Sequence, residues 1–192
     1  KMNILILNWR DIDHPLSGGA EISLFEHARY WVKQGAKVTW FSSLFKGAKE
    51  MEEKAGITFI RRGSHYTVHL YALWYYLRGV LGKPHIVIDS FHFIPFFTPL
   101  YIKNVKTIAL INEVAGHLWF ANLRSPFSNI GYLLEPFFFK FYRRLIFITG
   151  SDSGKKDLIN FDIPKDNIKV IHHGITYVKR EKKYKREKYP TI

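Results

Sequence analysis

Short aliphatic runs alternate with helix-patterned segments along most of the chain. Residues 2–8 are a continuous aliphatic run, which is typical of a strand buried on both faces. After a polar loop, apolar positions recur every three or four residues as far as Gly35, a glycine stop signal that ends the predicted helix. A second aliphatic run follows at 38–41. Residues 2–41 therefore predict one βαβ unit, which implies a parallel sheet.

The same alternation continues to residue 171 and predicts five more strands with helices between them. The further predicted strands are 57–60, 85–89, 106–111, 145–149 and 167–171, and the further predicted helices are 50–54, 68–81, 94–102, 132–144 and 153–160. About seven strands in this order predict an α/β, Rossmann-like fold. We expect a doubly wound, mostly parallel sheet with helices on both faces.

The last segment of the chain has a different composition. Between residues 177 and 189, seven lysines or arginines face only Glu181 and Glu187, a net charge of 7 − 2 = +5. A charge run of this kind is typical of a solvated linker. We expect residues 1–175 to form one domain and residues 176–192 to be a basic interdomain linker that ends in the truncated start of a second, missing C-terminal domain.

Composition narrows the classes of function. The chain has 192 residues, 47% of them hydrophobic, and no cysteine, which excludes a disulfide scaffold and thiolate metal sites. Its net charge of +13 predicts an anionic partner: nucleic acid, an acidic lipid surface or a phosphorylated ligand. No helix-turn-helix, RNA-recognition or zinc-finger signature is present, so no specific nucleic acid is expected. The lack of cysteine and the single glutamine are compatible with a thermophile.

The most informative segment lies between the first predicted strand and the first predicted helix, and contains His14, Gly18, Gly19 and Glu21. In an open parallel sheet, ligands bind at the carboxyl ends of strands, near this turn. Glycine lets a ligand approach the backbone, and the amides of a helix start favour an anion such as phosphate. The alternative is a tight turn that simply needs glycine. Neither the dinucleotide fingerprint nor the phosphate-loop motif of ATPases is present.

Three segments in order resemble the amino-terminal domain of family 4 glycosyltransferases. They are His14-Pro15-x-x-Gly18-Gly19-Ala20-Glu21 and its helix, the strand, serine turn and helix from Phe147 to Leu158, and the closing segment from Ile163 to Ile175. The family usually has Pro-Asn-Gly where this chain has His172-His173-Gly174. The resemblance covers nearly the whole chain.

The resemblance implies one half of a two-domain GT-B enzyme that moves a sugar from a nucleotide-diphosphate sugar to an acceptor, with retention. No metal and no other cofactor would be required. Gly18 and Gly19 would approach the donor diphosphate, and this first domain would mainly hold the acceptor. The second domain would hold the nucleotide sugar and carry a pair of glutamates. This chain alone would then be inactive.

A second group of polar residues follows the predicted strands 85–89 and 106–111. Many family members have a histidine just after the second of these strands, where this chain has Asn112, which forms hydrogen bonds but does not titrate. No catalytic residue is therefore assigned with confidence from the resemblance. The acceptor-binding candidates are His14, Asp89, His92, Asn112, Glu113, His117 and Trp119. The alternatives are a plain surface or core role for His117, and capping of a loop by Asp89 and His92. The nine histidines show no metal-ligand spacing, so no metal site is expected.

Two further predictions concern the location of the protein in the cell and its functional class. Aromatic residues at 137–142 are followed by Arg143 and Arg144, a pattern that favours reversible contact with an anionic membrane surface, or alternatively a buried helix with a basic fringe. We therefore expect a cytoplasmic protein, peripheral at the inner face of the membrane. The alternative class is a stand-alone Rossmann-like module that binds a phosphorylated ligand or nucleic acid, or a different Rossmann-like enzyme.

Overall fold

The structure, a computed structural model, describes residues 1–174. Eight strands form one sheet in the order β3-β4-β2-β1-β5-β6-β7-β8, and every pairing is parallel except that of β3 with β4. The strands are β1 Asn3–Leu7, β2 Lys37–Ser42, β3 Met51–Lys54, β4 Ile57–Arg61, β5 Ile86–Phe91, β6 Lys106–Ile111, β7 Ile146–Thr149 and β8 Ile168–Val170. The predicted doubly wound α/β architecture is confirmed, with one strand more than expected.

Six helices connect the strands, and they cover the two faces of the sheet unequally. They are α1 Gly19–Lys33, α2 Val68–Leu77, α3 Thr98–Tyr101, α4 Leu118–Asn122, α5 Phe127–Tyr142 and α6 Asp152–Asn160. Leu24 and Ala28 of α1 pack against Ile4 and Ile6 on one face of the sheet. The opposite face packs against α2 near β1 and β5, and against α5 and α6 near β6 and β7.

The face that α1 covers remains partly open beyond β5. Ile108 and Leu110 of β6 are only half-buried there, and Ile146 of β7 is 37% exposed. Their neighbours on the other face, Ala109 and Phe147, are fully buried. Strands of a parallel sheet are usually buried on both faces, so this strip is an apolar surface that α1 covers only in part.

The expected helix at 50–54 is wrong, because this segment forms the antiparallel edge strand β3. Ala55 and Gly56 both have positive φ values, 54° and 75°, which is the geometry of a two-residue hairpin turn. The turn pairs Met51 with Ile60 of the buried strand β4. Pairing with a buried neighbour thus outweighs the local helix preference of a Met-Glu-Glu-Lys segment.

Several predicted boundaries also differ from the structure. Helix α2 ends at Leu77, not 81, because the chain turns through Gly79 and Gly82, which both have positive φ. The expected helix 94–102 is reduced to the single turn of α3. Helix α5 begins at Phe127, five residues before the predicted start, and α4 precedes it. Residues 176–192, the predicted basic linker, lie outside the described residues.

Candidate functional site

A cleft of about 1080 Å³ opens at the carboxyl ends of the central strands. On one side it is lined by the start of α1, from Gly18 to Ser23, together with Arg10 from the loop after β1. On the other side the residues that follow β5 and β6 line it, including His92 and Asn112. This is the position at which an open α/β sheet binds its ligands.

The loop between β1 and α1 ends in an anion-binding geometry. Gly18 is the N-cap of α1 and has an extended backbone, with φ −141° and ψ −158°. The amides of Gly19, Ala20 and Glu21 start the helix and so have no acceptor within it. Together with the helix dipole they favour a negatively charged group at this end of the cleft.

Neither glycine is required by the fold itself. A Cβ built on Gly19 would meet no atom within 4 Å, and one on Gly18 would meet only Glu21 Oε2, at 3.9 Å. Neither residue has a positive φ. The alternative expectation, a tight turn that needs glycine, is therefore not supported by the geometry. The two residues leave open space at the backbone, which is what the close approach of a ligand needs.

Glu21 fixes the conformation of this loop through its buried carboxylate. Its carboxylate is buried and accepts a hydrogen bond from Gly18 N at 2.8 Å. It also forms an ion pair with Arg10, Nη2 to Oε1 3.1 Å, and accepts a weaker bond from Asn8 Nδ2 at 3.4 Å. Glu21 thus supplies the glutamate half of a capping box, in which the N3 side chain accepts from the amide of the N-cap residue Gly18.

Arg10 is the cleft residue that the sequence analysis missed. Its guanidinium donates to Leu16 O at 2.6 Å and lies 4.6 Å from the centre of the Trp9 ring. Its Nε is buried and without a hydrogen-bond partner among the described residues. The sequence signal for Arg10 was a basic residue three positions after β1, because the carboxyl end of that strand opens into the cleft.

A buried ion-pair cluster anchors the same loop to the sheet. Arg61 of β4 donates from Nε to Asp11 Oδ2 at 2.6 Å, and both side chains are almost fully buried. Ser42 Oγ donates to the same carboxylate oxygen at 2.7 Å. Removing one partner of such a pair leaves a buried unpaired charge. The loop that carries Arg10 and Gly18 is therefore held rigidly against β2 and β4.

The opposite side of the cleft is formed by polar residues after β5 and β6. Burial lowers the pKa of His92 to about 4, and the nearby charge of Arg10 lowers it as well, so this imidazole is neutral at pH 7. The Oδ1 atom of Asn112 is buried and has no hydrogen-bond partner among the described residues. Glu113 is exposed at the cleft. This side therefore offers uncharged hydrogen-bonding groups and one carboxylate, which suit hydroxyl groups.

A sequence model described as Glycosyltransferase Family 4 matches residues 17–177 of the chain. The chain belongs to glycosyltransferase family 4. The matched range contains Gly18, Gly19 and every strand from β2 to β8. No protein among curated sequences matches the chain significantly.

The fold of this family 4 chain is similar to that of a solved sucrose-phosphate synthase, and a trehalose-phosphate synthase structure matches it less well. Sucrose-phosphate synthase from Thermosynechococcus elongatus superposes with a TM-score of 0.64 at 10% identity, over 91% of this chain and 49% of that one. The α,α-trehalose 6-phosphate synthase of Burkholderia multivorans matches with a TM-score of 0.48 at 11% identity, over 83% of this chain and 42% of that one. The chain thus spans about half the length of these solved structures.

The structure brings five of the predicted site residues of this family 4 domain together. Gly18, Gly19, His92, Asn112 and Glu113 all line the cleft. Within residues 1–174 no group of three or more acidic or histidine side chains could hold a metal ion.

The other four predicted residues do not line the cleft. Asp89 is fully buried, where burial raises its pKa, and it accepts hydrogen bonds from Thr98 Oγ1 at 2.6 Å and from the Tyr142 hydroxyl. It shares its side of the sheet with Val87, so its expected place in the cleft is wrong. Trp119 is 2% exposed and packs in the interior.

His14 and His117 lie outside the cleft for a different reason. His14 packs edge-on against Trp9 and Phe45, 5.2 Å from each ring centre. His117 is exposed and stacks on Tyr132 at 5.7 Å. Both belong to the loops that surround the cleft, and neither faces into it.

Proposed function

We propose that this chain is the acceptor-side domain of a glycosyltransferase that transfers a sugar from a nucleotide-diphosphate sugar to an acceptor. The observation that carries the proposal is the open space at Gly18 and Gly19, where the fold has no need of glycine. The diphosphate would lie against the first amides of α1. No metal would be needed to bind it, because the helix start and Arg10 supply positive potential on the same side of the cleft.

The acceptor would lie against the opposite side of the cleft. Asn112, which lines the cleft, would form a hydrogen bond with an acceptor or donor-sugar hydroxyl through its side-chain amide. His92 would act as a neutral hydrogen-bonding group, and Glu113 would accept from a hydroxyl at the rim. Asn112 does not titrate, so it would orient a hydroxyl group and would not transfer a proton.

A second domain would complete the enzyme. This proposal is supported by the chain spanning about half of the matched sucrose-phosphate synthase structure. That domain would hold the nucleotide and its sugar, so the 192-residue chain alone would not transfer sugar. The test is a radiolabelled transfer assay with the chain and a panel of nucleotide sugars. Turnover by this chain alone would refute the two-domain requirement.

We also propose that α5 places the enzyme at an anionic membrane surface. Six apolar side chains on the outward face of α5 are between 44% and 68% exposed: Phe127, Ile130, Leu133, Leu134, Phe137 and Phe141. Between residues 118 and 144 there are four basic residues, and Glu135, the one acidic residue, is buried. No helix of the described residues is long and apolar enough to cross a membrane.

The membrane contact is testable with matched charge reversals. Each basic side chain near anionic headgroups contributes about 1 kcal/mol. The double variant K140E/R144E should therefore lose most of its sedimentation with anionic vesicles at low salt. The control K33E/K37E carries the same change of charge at exposed lysines of α1 and β2, on another surface, and should sediment like the wild type. Equal binding of wild type to neutral and anionic vesicles would contradict the proposal.

A further inference from the structure

One buried carboxylate holds the loop that leaves β6 and forms the acceptor side of the cleft. Glu135, in the middle of α5, accepts hydrogen bonds from Ala115 N and Gly116 N, both at 2.9 Å. Its second oxygen also accepts from Trp119 Nε1 at 3.0 Å. Three donors of one short segment, 115–119, thus converge on a single side chain from another helix.

The surroundings of Glu135 show that this arrangement is built into α5. Glu135 is 3% exposed and forms no ion pair with a described residue. One turn before it, Gly131 receives the Trp119 ring, and a Cβ at that position would lie 2.3 Å from the ring. Glycine and glutamate four residues apart share one face of a helix. The same face of α5 therefore accepts both the indole ring and its N–H group.

Charged groups on the packed elements lie away from this carboxylate. On the loop itself, Glu113 is exposed at the cleft and His117 stacks on Tyr132. On α5, the Lys140 ammonium lies 4.7 Å from the centre of the Phe137 ring, on the exposed face. The neighbours that act on Glu135 are therefore N–H donors. Burial raises its pKa, and the bonds from Gly116, Trp119 and Ala115 partly oppose that shift.

The hydrogen bonds are strongest to the ionised carboxylate. Protonation would place a hydrogen on one of two oxygens that both already face N–H donors, which would weaken the bonds to that oxygen. The weakening matters for the cleft because Ala115 itself lines the cleft, and Asn112 and Glu113 precede it by only two or three residues.

We infer that Glu135 is a positioning residue, which fixes the loop 112–117 so that Asn112 and Glu113 face the acceptor. That Asn112 and Glu113 face an acceptor rests on the proposed function, whereas the ordering of the loop by Glu135 does not depend on it. Glu135 itself does not line the cleft, so it acts through the loop.

The test is the variant E135Q in the 192-residue chain, followed by amide NMR. An amide side chain keeps the shape but presents an NH₂ group to an N–H donor. We expect a shifted Trp119 indole resonance, amide exchange about tenfold faster at Ala115 and Gly116, and shifted Asn112 side-chain amide signals. Gly18 and Gly19 should keep wild-type resonances. E113Q, which changes an exposed glutamate of the same loop, should leave the Trp119 indole resonance in place.

Two further measurements keep the inference falsifiable if E135Q folds poorly. In the wild type, the Trp119 indole resonance should titrate with pH above the range of an ordinary glutamate. In W119F, which removes one donor and keeps an aromatic ring, the pKa of Glu135 should rise further. An indole resonance that does not titrate, or loop amides in E135Q that exchange as in the wild type, would overturn the inference. Neither result would bear on diphosphate binding at Gly18 and Gly19.

Discussion

Replacing Gly19 by alanine should separate ligand binding from folding. Gly19 is the first residue of α1, and a Cβ there would meet no atom within 4 Å. Alanine in a helix is more stable than glycine by roughly 0.5–1 kcal/mol, so G19A should unfold at an equal or slightly higher urea concentration. The added methyl group would nevertheless occupy the space that a diphosphate needs. We expect the affinity for the nucleotide sugar to fall by about tenfold or more, or about 1.4 kcal/mol.

The control for G19A is G56A, a glycine that the fold does require. Gly56 has a φ of 75°, and a Cβ there would lie 2.7 Å from Val32 Cγ1. A residue with a side chain in the left-handed conformation costs about 1–2 kcal/mol, and the clash adds to this. Urea unfolding should therefore show G56A destabilised and G19A not, while calorimetric titration of the two-domain enzyme with UDP-, GDP- and ADP-sugars shows the binding defect only in G19A. Wild-type affinity in G19A, or a loss of stability above 1 kcal/mol, would refute the reasoning.

The remaining predictions concern the Glu21 network, two histidines and metal dependence. E21A leaves the largely buried Arg10 guanidinium without its carboxylate, so urea unfolding should show a loss of stability of about 3 kcal/mol. The control E26A removes an exposed ion pair and should cost less than about 0.5 kcal/mol. Equal effects of the two variants would contradict the role assigned to Glu21. Burial lowers the pKa of both His69 and His92 to about 4, below the ordinary value of 6.5. Between pH 6.5 and 4 these histidines therefore bind protons in the unfolded chain but not in the folded one. The free energy of unfolding should fall as the pH is lowered through this range, and its dependence on pH should be weaker in H69F. Transfer by the two-domain enzyme should be unchanged in EDTA, and loss of activity that Mg²⁺ or Mn²⁺ restores would refute the proposed metal independence.

Most of the sheet could be predicted from the sequence because each buried strand has a recognisable aliphatic pattern of its own. Continuous aliphatic runs such as residues 2–8 identify buried parallel strands without knowledge of their partners. Strand β3 could not be found in this way, because its exposed Met-Glu-Glu-Lys segment has no aliphatic run and depends on pairing with β4. The early start of α5 was missed because the buried side of its first turns carries Ser128 and Gly131, while its apolar residues there, such as Phe127, are exposed.

The candidate site was predicted in part, and the errors follow from side-chain direction. Asn112 and His92, selected by their position after a strand, line the cleft, but this position does not tell which way a side chain points. Asp89 lies within β5, two residues from Val87, and strand alternation places both on the same buried side. Glu135 was beyond prediction, because its partners lie 16 to 20 residues earlier, in the loop after β6 and at the start of α4, and only the packing of α4 against α5 brings them together.

The central claim is that the backbone amides at the start of α1 receive the diphosphate of a nucleotide sugar. The most direct measurement is an amide NMR titration of the two-domain enzyme with UDP, GDP, ADP and dTDP, followed at Gly18, Gly19 and Ala20. We predict that these three resonances move together with at least one nucleotide, and that the same nucleotide leaves them in place in G19A. If none of them moves up to the solubility limit of every nucleotide, or if the shifts lie only outside the cleft, the account is contradicted.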